Sequence, residues 1–201
     1  MVFVTTIVFA CRSFQSQPAK NVNKNTIVFL GNSITQVGKW QTLLPDKKVI
    51  NKGISGDVTK GVLARIEDCL SAKPEKIFVM IGINDLKIGL AVDSITIGQT
   101  RIIKQIKKLS PRTKIYMQST LPVNESMLAN IYKRLNNEAI NQMNTALKLV
   151  CKQQKVGYLD VHSTLTDQNG QLKQALSTDG LHLKPEAYVI WVNYLKTNKL
   201  L

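Results

Sequence analysis

From Thr26 onward the chain alternates apolar runs of strand length with longer segments of helical period, and few folds accept that rhythm. The strand candidates are residues 26–31, 48–51, 76–81, 114–119 and 157–160. They are short and rich in Ile, Val and Phe, as parallel strands covered on both faces are. Periodicity predicts helices over 59–72, 92–109, 129–154 and 185–197. In the second of these, Ile95, Gly98, Ile102, Ile103 and Ile106 share an apolar face, and Arg101, Lys104, Lys107 and Lys108 face outward. Pro185 fits the first turn of the last helix, where its missing N–H is no loss. Strand, helix and strand in succession imply crossover connections, so the fold class is α/β with a parallel sheet. There is no internal repeat and no linker, and the 201 residues suffice for one domain, expected over 26–201.

Open parallel sheets bind ligands beyond the carboxyl ends of their strands. Three short polar blocks fall at such ends: Gly31-Asn32-Ser33-Ile34-Thr35, Gly53-Ile54-Ser55-Gly56-Asp57 and Gly82-Ile83-Asn84-Asp85. A fourth, Asp179-Gly180-Leu181-His182, precedes the last helix on a loop that can fold over the same edge. Together they supply what acyl transfer through serine requires. Ser33 is too weak a nucleophile at its free pKa and needs a base, and His182 is the suitable candidate. Asp179, three residues earlier, can hold one ring nitrogen and fix the tautomer. The oxyanion of the tetrahedral intermediate needs donors already in place. Three are at hand: the backbone N–H of Ser33, the backbone N–H of Gly56 and the side-chain amide of Asn84. Taken singly, Gly53 and Gly56 read as turn glycines and Asn84 as a loop cap. Beside Ser33 and His182 they read as one site. His162 has no such neighbours and reads as a partly exposed residue at a helix start.

On these residues the chain resembles the SGNH (GDSL-type) hydrolase superfamily, from about Thr26 to Lys199. The family's nucleophile falls on Ser33, its glycine donor on Gly56, its asparagine donor on Asn84 and its base and acid on His182 and Asp179. The resemblance implies a flavodoxin-like three-layer α/β/α sandwich with a five-stranded parallel sheet, and an ester hydrolase that works through an acyl-enzyme with no metal and no cofactor. Asn32 departs from the Asp that many relatives carry there, but that Asp is not the triad acid. Asn32, Asp57 and Asp85 are expected to support the loops. The subgroup it looks most like contains bacterial carbohydrate acetylesterases, together with acylhydrolases named after platelet-activating-factor acetylhydrolase or lysophospholipase.

The loops leave little room for a lid, with residues 121–130 as the variable wall, so a small acyl group, acetyl foremost, on a sugar or similar alcohol is the expected substrate. A longer-chain acylhydrolase and a non-catalytic glycan-binding protein on the same fold are the alternatives. Trp40 and Trp191 fit either the acceptor side of the site or the core. The formal charge of +14 raises nucleic acid, an anionic membrane or an acidic glycan as partners. The Lys and Arg residues are scattered over helix faces without interleaved aromatics, so no nucleic-acid partner is expected. The charge would suit an anionic sugar ester.

The first ten residues are apolar and end in Val8-Phe9-Ala10-Cys11, which resembles a lipoprotein signal, followed by a polar tether to residue 25. Export and membrane anchoring through Cys11 are the expectation, with a cytoplasmic enzyme as the alternative. Cys69 and Cys151 read as buried thiols with no disulfide between them.

Overall fold

A computed structural model of the protein describes residues 23–201. Cys11 and the apolar segment around it lie outside the described residues. Five strands, β1 (Asn23–Gly31), β2 (Lys48–Gly53), β3 (Pro74–Met80), β4 (Lys114–Gln118) and β5 (Gly157–Leu159), pair in the order β2-β1-β3-β4-β5, every pair parallel. Because side chains alternate along a strand, β1 sends Ile27 and Phe29 to one face and Val28 and Leu30 to the other, and all four are buried. Each face therefore carries its own apolar layer of helices, giving a three-layer α/β/α sandwich.

The Val28 face is covered by α3 (Thr59–Ala64), α4 (Ile66–Leu70), α6 (Val92–Leu109) and α7 (Asn137–Gln154). On α6 the five residues of the expected apolar face are all buried. Cys69 and Cys151 are free thiols in this layer, and burial pushes Cys69 up and Cys151 to about 12. The Phe29 face takes α1 (Ser33–Val37), α2 (Trp40–Leu43), the short helices α5 (Ile83–Lys87) and α8 (His162–Leu165), and α9 (Pro185–Thr197).

Both tryptophans belong to this second core. Trp40 stacks on Phe29 at 4.0 Å between centroids and meets Trp191 edge-on at 4.9 Å, and both are essentially inaccessible. The core in turn fixes α1: Trp40 Nε1 donates to the Thr35 carbonyl at 2.7 Å, and the Tyr188 hydroxyl donates to the Ile34 carbonyl at 2.7 Å. The helix that begins at Ser33 is thus held from behind by aromatic residues.

Two helices differ from expectation. The segment 59–72 is interrupted at Arg65, whose backbone leaves helical geometry (φ −113°, ψ 12°). The long helix starts at Asn137 rather than 129, because the Asn136 side chain accepts from the Ala139 N–H at 2.8 Å and caps it there. Residues Asn130–Tyr132 form a separate 3₁₀ turn before it.

Candidate active site

The strand order reverses at β1: β2 lies on one side of it and β3 on the other. Ser33 follows β1, Gly56 follows β2 and Asn84 follows β3, so all three reach the crevice above this reversal. Gly31 and Gly53 allow the close packing there. A Cβ on Gly31 would lie 2.5 Å from the Met80 carbonyl oxygen, and one on Gly53 would lie 2.2 Å from the Gln36 nitrogen. Asn32, buried, caps α1 by accepting from the Ile34 N–H at 3.0 Å.

The fourth block arrives from the far end of the chain. Gly180 adopts φ +86°, and a Cβ there would sit 2.6 Å from the Asn124 carbonyl oxygen. Asn124 N–H donates to the Gly180 carbonyl at 2.7 Å, and the Ser177 hydroxyl accepts from the Gly180 N–H while donating to the His182 carbonyl. So fixed, His182 places Nε2 3.1 Å from Ser33 Oγ and Nδ1 2.7 Å from Asp179 Oδ2. Residues 149 positions apart in sequence meet in one hydrogen-bonded chain. Asp179 Oδ1 also accepts from the backbone N–H groups of Leu181 and His182. Burial pushes the Asp179 carboxyl up, but the hydrogen bonds from the His182 ring and from those two amides outweigh it, and the group lies below its ordinary range. It is therefore a carboxylate at neutral pH, suited to keep the Nδ1 proton of His182 in place.

Gly56 and Asn84 stand on the segments that follow β2 and β3. Gly56 is exposed at φ +78° with no atom near where a Cβ would project, so its N–H can meet a ligand at close range. Asn84 Nδ2 donates to the Asp57 carbonyl at 2.9 Å, an attachment that uses one amide hydrogen and leaves the other for a ligand. Asp85, fully buried, accepts from the Thr59 N–H and takes a 2.6 Å bond from its hydroxyl. Burial raises its pKa against these bonds. The loop between Asp57 and Thr59 is thereby tied to the end of β3 at both sides.

Sequence reasoning missed Arg65. Its Nε and Nη2 donate to Asp57 Oδ2 at 2.9 and 2.6 Å, and Nη2 also reaches the Gly31 carbonyl at 3.2 Å. One guanidinium thus joins the loop bearing Gly56 to the strand end bearing Ser33. It also missed Tyr132, whose ring meets the His182 ring edge-on at 6.3 Å. Residues 121–130, expected as the wall, serve chiefly as a buttress: Leu121, Val123 and Leu128 are core residues, and Asn124 holds the histidine loop. His162 begins α8 half-buried, with Nδ1 3.2 Å from Thr166 Oγ1, and burial holds its pKa below the ordinary imidazole range.

Known proteins share this fold. A structure from Streptococcus pneumonia, provisionally named a platelet activating factor, has 33% identity and a TM-score of 0.78 over 86% of this chain and 82% of that one. An acetylxylan esterase from Geobacillus stearothermophilus shares the fold at 19% identity, with a TM-score of 0.68 over 87% and 94% of the two chains. In sequence, N-acylneuraminate cytidylyltransferase from Streptococcus agalactiae is 28% identical over 171 residues, 77% of this chain. The present chain spans 39% of that protein's length. The family model of GDSL-like lipases and acylhydrolases matches residues 29–190, a span that holds Ser33, Gly56, Asn84, Asp179 and His182, and the chain belongs to that family.

Proposed function

We propose that this acylhydrolase is a serine esterase that removes a small acyl group, acetyl foremost, from a carbohydrate or similar alcohol, with Ser33, His182 and Asp179 as its triad. The observation that carries the reading is the chain of hydrogen bonds from Ser33 Oγ through the His182 ring to Asp179. Ser33 Oγ attacks the ester carbonyl and gives its proton to His182 Nε2. The negative oxygen settles among the N–H groups of Ser33 and Gly56 and the free amide hydrogen of Asn84. Collapse breaks the bond to the alcohol, which leaves with the proton from His182. Water then loses a proton to the same nitrogen, attacks the acyl-serine, and the acid departs as Ser33 recovers its proton. Asp179 stays ionised throughout and stabilises the imidazolium.

Short connections support a small acyl group, since Ser33 stands two residues beyond the end of β1 and Asn84 four beyond the end of β3. A longer acyl chain has one observation in its favour, an apolar cleft lined by Val37, Leu43, Leu183, Pro185, Tyr188 and Val189, beginning one residue after His182. A chain-length series of p-nitrophenyl esters separates the two. The proposal expects kcat/KM to peak at acetate and fall with each added pair of carbons. A maximum at eight carbons or more would assign the cleft to the acyl chain instead.

Asn84→Ala should lower kcat by roughly 10²-fold with little change in KM, the signature of a donor used only in the transition state. Steady-state kinetics on p-nitrophenyl acetate reads it. A rise in KM with kcat unchanged would assign Asn84 to ground-state binding.

A further inference from the structure

The wall beside His182 carries positive charge in a defined place. Lys87, one turn after Asn84 on α5, sets its Nζ over the Tyr132 ring at 4.6 Å from the centroid, and His182 meets the same ring edge-on at 6.3 Å. Lys87 is half-buried, and among the described residues it forms no ion pair. Arg134 joins it. A Cβ on Gly89, two residues after Lys87, would meet Arg134 Nη1 at 2.7 Å, so the turn after α5 and the segment 131–134 pack together. The acids of the surrounding segments have other partners: Asp85 accepts from Thr59, Glu125 from the Asn137 backbone and side chain, and Asp179 pairs with His182. A partly exposed cation one aromatic ring away from the base, with no salt bridge among the described residues, is available to an anionic group on a ligand.

We infer that Lys87, seated on Tyr132 and assisted by Arg134, binds a carboxylate or phosphate on the alcohol portion of the substrate, a few bonds from the scissile ester. This rests on the ester-hydrolase reading of the same site. A neutral ester fills the acyl and oxyanion positions equally well but leaves Lys87 solvated. Ile88 and Ile131, next to Lys87 and Tyr132 in sequence, are exposed, and either a sugar acid or a glycerophosphate would carry the anion.

Two matched pairs of esters test this: O-acetylated glucuronic acid against O-acetylated glucuronamide, and 1-acetylglycerol 3-phosphate against 1-acetylglycerol. In at least one pair the anion should be preferred by about tenfold in kcat/KM, and Lys87→Met should collapse that ratio toward one. Raised salt should shrink it in the wild type. Preference confined to the first pair identifies a sugar acid, and preference confined to the second a glycerophosphate. Titration calorimetry of the same pairs on the Ser33→Ala protein reads binding without turnover, so failure of the catalytic reading and failure of the Lys87 reading are separable. Equal affinities within both pairs, or a preference that survives Lys87→Met, would overturn the inference.

Discussion

Ser33→Ala will lower kcat on p-nitrophenyl acetate by on the order of 10⁴-fold or more while the thermal unfolding profile stays in place. The activity loss follows because in the proposed mechanism this hydroxyl forms the new bond, and among the described residues no other side chain hydrogen-bonds His182 Nε2. The fold should survive because α1 does not depend on Ser33 Oγ. Asn32 caps it, and the Trp40 and Tyr188 hydrogen bonds anchor it from the core. His182→Ala should cost on the order of 10³-fold or more, and the double variant no more than Ser33→Ala alone, since groups that act as one unit are not additive. Steady-state kinetics with circular dichroism on the three proteins checks both parts. Additive losses would mean that the two residues serve separate steps.

Arg65→Met should destabilise the protein by about 3 kcal/mol and also lower kcat, because the Asp57 carboxylate would be left buried without its partner. The side chains of Asp57 and Arg65 are only 8% and 17% exposed, so the pair is largely shielded from water and stands apart from the weak surface bridges. Beyond stability, the guanidinium spans from Asp57 to the Gly31 carbonyl, and the Asp57 carbonyl orients Asn84. Loosening it disturbs Gly56 and Asn84 relative to Ser33, so kcat should fall by about tenfold with smaller change in KM. Denaturant unfolding and kinetics on Arg65→Met, Asp57→Asn and the double variant form the test. A double variant more stable than Arg65→Met alone is expected, because the uncompensated charge is then gone. Independent, additive effects would show that the two side chains are not coupled.

The central strands β1 and β3 are readable because both faces of each are covered, which leaves continuous apolar runs in the sequence. The helices at Val92–Leu109 and Pro185–Thr197 begin and end where expected, one from its single apolar face and the other from its first-turn proline. The other two differ from expectation where a tertiary or capping contact overrides the apolar spacing: Arg65 leaves the helical conformation and turns its side chain to Asp57 and Gly31, and Asn136 caps a helix whose apolar spacing continues upstream of it. The site divides in the same way. Ser33, Gly56, Asn84, Asp179 and His182 stand at strand ends or in a loop with local signatures. Arg65, Tyr132, Asn124 and Ser177 owe their roles to partners that the fold supplies, as with Asn124 and Gly180, and no local pattern marks them.

The most direct test of the central claim is to inactivate the enzyme with a fluorophosphonate and map the adduct by tandem mass spectrometry. A single phosphonyl group on Ser33, formed in step with the loss of esterase activity and nearly absent from the His182→Ala protein, is the predicted result. An adduct on another residue, or full inactivation with Ser33 unmodified, would contradict the account.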